Sequence, residues 1–246
     1  MIKRILLSIV LLLVLAYLVV AITAFNRKPA GQVCHDVELR IKDTVYAGFV
    51  TKKEVTALLK KKGISPIGKE LDRIRTKPLE QALSAHPLID EAECYKTPSG
   101  KLCIEVTQRT PILRVMSANG ENYYVDNKGT VMPPDAKCIA HLAVATGRVE
   151  KSFAMKDLYK FGVFLQRNSF WNAQIEQIHV LPGRNVELVP RVGDHIIYLG
   201  KLDDFERKLK RVRTFYEKGL SKVGWNKYSR INVEFGNQII CTKREK

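Results

Sequence analysis

The residues Gly63-Ile64-Ser65-Pro66-Ile67-Gly68-Lys69 repeat the glycine and lysine spacing of a phosphate-binding loop, in which backbone amides cradle phosphate and the lysine neutralises it. The next residue is Glu70, where that chemistry needs a Ser or Thr hydroxyl for magnesium, and a carboxylate there repels phosphate. The segment before Gly63 has helical rather than strand periodicity, so Gly63 reads as a helix cap and Gly68 as a turn. His35, His86, His141, His179 and His195 fall on separate expected elements without ligand spacing. No Gly-x-Ser-x-Gly elbow supplies a nucleophile, and no histidine has an evident orienting carboxylate. Asp126 is the type of residue that serves as a general acid, but in Tyr124-Val125-Asp126-Asn127-Lys128-Gly129 it reads first as part of a hairpin turn. No catalytic, cofactor-binding or metal-binding residue is assigned, and no small-molecule substrate is expected.

Cysteine chemistry is equally sparse. Cys34, Cys94, Cys103, Cys138 and Cys241 are an odd number with no Cys-x-x-Cys, which is neither a disulfide framework nor a zinc site. Cys94 and Cys103 flank the turn Thr97-Pro98-Ser99-Gly100. Leu102, Ile104 and Val106 alternate as a buried face, which sends Cys103 outward beside Glu105 while Cys94 continues inward from Ala92. The two are expected on opposite faces, unpaired.

The elements available to position any function begin with Ile5 to Ala24, about twenty residues without a charge. As a helix at about 1.5 Å per residue they reach about 30 Å, the thickness of a bilayer's hydrocarbon core. A cleavable signal has a shorter apolar core of about 7 to 15 residues and small residues at the cut, against which this chain offers only Ile22-Thr23-Ala24. A retained anchor is expected over a removed signal or a buried core helix. Lys3 and Arg4 precede the span and Arg27 and Lys28 follow it, so charge bias alone does not orient it. With four residues ahead of the span, the N-terminus is placed in the cytoplasm and the remainder outside the cytoplasmic membrane.

That remainder is ordinary globular material, the whole chain being 46% apolar and 27% charged. A net charge of +16 raises nucleic acid or anionic lipid as partners, but the clusters Lys60 to Lys62, Arg207 to Arg213 and Lys243 to Lys246 are short and scattered. Nucleic acid is not expected. Asn26 to Gln32 reads as a linker, and Cys34 to Lys42 as a half-buried strand with Val37, Leu39 and Ile41 on one side. Thr51 and Glu54 form a capping box for a helix carrying Val55, Leu58 and Leu59. A second helix starts near Pro78, carries Leu79, Ala82 and Leu83, and stops at His86-Pro87. The hairpin Ile89 to Arg109 closes a strand, helix, helix, strand, strand unit with both helices on one side of a small three-stranded sheet.

From Thr110-Pro111 onward, short alternating segments recur at Ile112 to Met116, Tyr123 to Asp126, Ile175 to Leu181, Asn185 to Pro190 and His195 to Leu199. Helices are expected at about Met155 to Gln166 and Asp203 to Lys218, the second basic and core-packed rather than laid on anionic lipid. Arg230 to Phe235, a Gly236-Asn237 turn and Gln238 to Lys243 end the chain. Ile231, Val233 and Phe235 are expected inward, with Asn232 and Glu234 outward. This last strand is either an uncovered edge that templates a partner's strand or an internal strand paired on both sides.

Several pieces, in order, resemble the bacterial cell-division family FtsQ, called DivIB in some lineages. They are the single span, then Pro87-Leu88-Ile89 leading into Ala92-Glu93-Cys94, and Lys101-Leu102-Cys103-Ile104-Glu105-Val106-Thr107-Gln108-Arg109-Thr110-Pro111, which is similar to the family's POTRA hairpin running into Arg-x-Pro. Tyr124-Val125-Asp126 with Gly129 resembles its Val-Asp-x-x-Gly turn, Ala145-Thr146-Gly147 its Leu-Thr-Gly, and Ile231-Asn232-Val233-Glu234-Phe235 with Asn237-Gln238-Ile239-Ile240 its closing strands. Gln108, where the family often has Glu, and Ala143, in place of the usual Pro or Leu, depart from the pattern. The resemblance implies an α+β chain: a cytoplasmic tip (1–4), one transmembrane helix (5–24), a linker (25–32), a POTRA-type βααββ domain (33–110), and a larger mixed β-sheet domain with flanking helices (111–246).

By function, the resemblance implies a non-enzymatic divisome scaffold in the inner membrane at the septum, without cofactor. It would bind FtsB/DivIC-like and FtsL-like bitopic partners and other division proteins, and help regulate septal peptidoglycan synthesis. The family's partner adds a strand to the C-terminal sheet edge, which maps here onto Glu234, Phe235, Gly236, Asn237, Ile240 and Cys241. The rival readings are a POTRA adaptor in envelope export or assembly, which predicts repeated units or a barrel, and an anchored envelope enzyme, which needs a convergent nucleophile and base.

Overall fold

The computed structural model describes residues 2–25, 31–42, 50–134 and 142–245. Residues 26–30 of the expected linker, Cys138, His141 and Lys246 lie outside the described residues. Helix α1 (Ile2–Phe25) includes a stretch, Lys3–Ile22, of mean hydropathy 3.2 with no part buried. It is long and apolar enough to cross a membrane, and it lacks the burial of a core helix. Ser8 returns its hydroxyl to the Arg4 carbonyl at 3.0 Å, so its polarity is met within the helix.

The chain divides into two compact units, one of Met1–Arg40, Lys52–Leu83 and Ala92–Glu105, the other of Ile41–Thr51, Ser84–Glu91 and Val106–Lys246. Strands β1 (Asp36–Ile41), β2 (Ile89–Lys96) and β3 (Lys101–Gln108) form a three-stranded sheet in the order β1-β3-β2, and α2 (Lys52–Lys61) and α3 (Thr76–Ser84) lie between β1 and β2 in sequence. Val55 and Leu59 of α2 and Leu79, Ala82 and Leu83 of α3 are buried, as one apolar stripe per helix requires. Gly63 adopts φ +70°; its amide reaches the Lys60 carbonyl and that of Ile64 reaches the Leu59 carbonyl, both at 3.0 Å. This paired capping needs a left-handed residue, so Gly63 ends a helix rather than opening a phosphate loop.

Cys103 departs from expectation: it is fully buried, although it lies on the face opposite Leu102 and Ile104. As the middle strand, β3 has neighbours on both sides. The Tyr95 hydroxyl, held by Glu105 at 2.8 Å and by Arg40 at 3.2 Å, belongs to a polar cover over that face. Cys34, Cys94, Cys103 and Cys241 are free thiols.

Among the described residues the second sheet has nine strands in the order β12-β11-β10-β9-β8-β7-β4-β5-β6. In sequence these are β4 (Pro111–Ser117), β5 (Asn122–Asp126), β6 (Val131–Met132), β7 (Val144–Gly147), β8 (Ile175–Val180), β9 (Val186–Pro190), β10 (Ile196–Gly200), β11 (Tyr228–Asn232) and β12 (Ile240–Lys243). Pairings β4–β7, β7–β8 and β10–β11 are parallel, and the others antiparallel. Helix α4 (Lys151–Phe153) runs through a π-turn at Ala154–Leu158 into α5 (Tyr159–Arg167), and α6 (Ser169–Gln174) follows. Helix α7 (Phe205–Phe215) runs through a π-turn at Tyr216–Leu220 into α8 (Ser221–Val223).

Alternate residues of these strands (Leu113, Val115, Ala145, Ile178, Leu188, Ile197, Ile231) share one core with Phe161, Leu165, Leu209, Val212 and Tyr216 of the helices. Helix α7 is therefore core-packed. Gly162 lets α5 approach β4, since a Cβ there would sit 2.8 Å from the Leu113 side chain.

The end of the chain differs from the sequence expectation. Strand β11 stops at Asn232, whose side chain accepts from the Glu234 amide at 2.9 Å and turns the backbone out of the ladder. Ile231 and Val233 are buried as expected, but Phe235 is 48% exposed. Strand β11 lies between β10 and β12, so the internal-strand alternative holds for it, and the edge is β12.

Candidate partner-binding edge

A sheet edge carries a row of unpaired amides and carbonyls, which is a template unless blunted. The nine-stranded sheet ends at β6 on one side and β12 on the other. Strand β6 has two residues and is followed by Pro133-Pro134, which have no amide to donate, so the ladder cannot extend there. In the smaller sheet, outer strand β2 has its Cys94 amide taken by Glu80 at 2.9 Å. Strand β12 has four residues, no proline, and, among the described residues, β11 on one side only.

Both ends of β12 are held by arginines. Arg211 of α7 donates from Nη1 to the Phe235 carbonyl at 2.7 Å and from Nη2 to the Gln238 carbonyl, clamping the β11–β12 connection. Past the strand, Arg244 donates from its guanidinium to the Asp194 carbonyl and from its amide to the Lys227 carbonyl at 3.1 Å. A strand fixed at both ends costs less entropy to pair than a loose one. Burial pulls the Arg211 pKa down from its usual range and the nearby Arg207 charge adds to this, while burial pushes the Cys241 thiol up.

The expected site residues come together on this hairpin. Glu234, Phe235, Gly236, Asn237 and Ile240 are exposed and Cys241 is half-buried. Cys241 pairs with Ile231 and faces the core, whereas Ile240 pairs with Asn232 on the opposite face. Beside the hairpin a groove of 590 Å³ is lined by Arg207, Lys210, Arg211, Lys218, Phe215 and Ile239, among others. The run Arg207 to Arg213 was visible as charge, but its place beside the closing hairpin was not. The cationic lining and apolar floor suit an acidic amphipathic chain.

The remaining candidates stay apart. Asp126 is buried; its Oδ1 accepts from the amides of Lys128 at 2.9 Å and Thr130 at 2.6 Å, as a turn aspartate does. His179 Nδ1 lies 3.0 Å from Thr146 Oγ1, and His86 Nδ1 accepts from the Leu88 amide at 3.4 Å. His195 is buried against Tyr216. Among the described residues no three His, Cys, Asp or Glu side chains converge on a metal-sized site.

Comparison with known proteins bears on this edge. A POTRA-like domain model matches residues 32–107, and a model described as FtsQ/DivIB, C-terminal related, matches residues 110–242, over half of the chain. The cell division protein FtsQ of Rhodothermus marinus is 27% identical over 169 residues, covering 64% of this chain and 62% of that protein. The match thus spans less than two thirds of that relative's length.

Proposed function

The chain belongs to the FtsQ/DivIB, C-terminal related family, and from that premise we propose a non-enzymatic, membrane-anchored scaffold of the division machinery. It binds FtsB/DivIC-like and FtsL-like bitopic partners by strand addition at β12 and helps regulate septal peptidoglycan synthesis. Helix α1 is its single anchor, with the N-terminus in the cytoplasm and the bulk of the chain outside, at the septum.

The observation that carries this reading is the contrast between the two ends of the nine-stranded sheet. One end is closed by a two-residue strand and two prolines, and the other is an open strand held at both ends. A soluble domain left with an exposed strand aggregates unless the strand has a purpose, so the held edge supports a docking role. Glu234, Phe235, Gly236 and Asn237 flank the added strand, and Ile240 and Cys241 lie in the strand it pairs with.

The test is cross-linking from native membranes, with a photo-reactive residue at Ile240 and mass spectrometry of the adducts. A short bitopic protein in the adduct, lost when Phe235→Lys is combined with Cys241→Pro, is the expected result. Retention of that partner by the double variant, with the fold intact by circular dichroism, overturns the edge. Normal septation after depletion overturns the division role.

A further inference from the structure

Among the described residues His195 is the one buried histidine, with 1% exposure, and strand addition makes no use of it. It stands just before β10, with Nε2 2.6 Å from Tyr216 Oη on the π-turn after α7. The rings meet nearly edge to face, 5.4 Å apart at 81°, and Trp225 lies 6.4 Å from the imidazole. Among the described residues Nδ1 has no hydrogen-bond partner. It faces Gly193, where a Cβ would lie 2.8 Å away, so the backbone of the β9–β10 connection roofs the ring directly. The next residue of that roof, Asp194, is the one whose carbonyl Arg244 grips beyond β12.

We propose that His195 is an acid-sensitive release for the β12 edge: protonation drives the imidazole out of its aromatic enclosure, the Gly193-Asp194 roof moves with it, and Arg244 loses the carbonyl that pins the strand. With its one N–H at Nε2, the neutral imidazole donates to the Tyr216 oxygen and leaves only a lone pair at Nδ1. An imidazolium carries two N–H donors, and the one at Nδ1 points at a glycine with nothing to accept it. Three polar groups bear on the ring. Asp194 on its own connection favours the charge, Arg244 from beyond β12 opposes it, and the Tyr216 phenol is uncharged. Burial is the largest effect and holds the pKa below its ordinary 6.5, with Asp194 offsetting part and Arg244 adding to it.

The sign follows. The closed state binds fewer protons than the open one, so closure is complete above about pH 6.5. It weakens about tenfold per pH unit below that, down to the closed-state pKa. The biological meaning rests on β12 being the docking edge; the opening itself does not.

Amide hydrogen exchange on the full chain in lipid nanodiscs, between about pH 5 and 8 and corrected for intrinsic exchange, tests it. Segments Gly193 to Ile196 and Ile240 to Arg244 should lose protection together, about tenfold per pH unit in the acid window. His195→Phe fills the enclosure without a titrating site and should give a flat profile, and His195→Gln should match it. In Arg244→Ala the roof should still open with acid while β12 is loose at every pH. A β12 whose protection ignores pH in the parent chain, or keeps its dependence in both His195 variants, overturns the proposal. So does a β12 that stays protected in Arg244→Ala. None of these readings needs a partner, so a failed cross-link at Ile240 leaves them standing.

Discussion

Arg109 donates from Nη1 to Asp126 Oδ2 at 2.7 Å, which makes the arginine of Arg109-Thr110-Pro111 and the aspartate of Val125-Asp126 two ends of one ion pair. Two signatures that look separate in the sequence are a single contact. Asp126 fixes its hairpin with one oxygen and Arg109 with the other, and the Asp126 side chain is only 1% exposed.

Removing one partner of a buried pair strands the other. Asp126→Ala is expected to cost about 3–5 kcal/mol, because Arg109 keeps its charge at 16% exposure without its closest partner. Asp126→Asn keeps an acceptor for the Lys128 and Thr130 amides and should cost less, about 1–3 kcal/mol. Thermal unfolding of both variants in detergent micelles checks the order. Equal losses would show that the ion pair carries the effect and the hairpin bonds add little.

Gly147 closes β7 at φ +85°, and a Cβ there would stand 2.2 Å from the Val180 carbonyl oxygen. Gly147→Ala combines a left-handed penalty of about 1–2 kcal/mol with a backbone clash of about 1–3 kcal/mol. Gly120, at φ +86° with nothing within 4 Å, is the control. Gly120→Ala should show the conformational cost alone, so the difference between the two unfolding temperatures isolates the clash.

Asp203 accepts from the largely buried Lys208 amine at 2.5 Å, and that hydrogen bond, with the Lys208 charge behind it, holds the Asp203 carboxyl below its usual 3.8. A depressed folded value means the contribution is complete above about pH 3.8 and is lost as pH falls through the folded pKa. Asp203→Asn should therefore lower the melting temperature at neutral pH and flatten the acid side of the series, the two curves converging between about pH 5 and 2. An unchanged acid slope would assign the effect to other carboxylates.

Periodicity made most of the architecture readable. The stripes Val55/Leu59 and Leu79/Leu83, the Thr97 to Gly100 turn and the alternating β4, β8, β9 and β10 segments all follow from local pattern. What escaped is set by tertiary partners. Strand β7 has four residues and takes its form from parallel neighbours on both sides. Helix α6 has six, and its one local signal is Asn168, whose side chain accepts from the Trp171 amide at 3.1 Å. At the candidate edge, alternation carried Phe235 inward. The Asn232 turn and the Arg211 clamp, which no period encodes, put it outside.

That clamp gives the last prediction. Arg211 reaches two carbonyls three residues apart with one planar fork, which a lysine's single ammonium cannot copy. Arg211→Ala should lower global stability by only about 1–2 kcal/mol, because the connection it holds is exposed and free to hydrate. Its effect on the edge should be larger. Without the clamp, residues 234–238 sample many conformations and β12 must be ordered when a partner strand arrives, which is expected to weaken capture about tenfold. Arg211→Lys should behave like the alanine variant. The measurement is the yield of the Ile240 photo-adduct against partner concentration, read beside amide exchange across Phe235 to Lys243. Faster exchange with undiminished capture would mean that the strand is ordered by its partner and that Arg211 serves only the free protein.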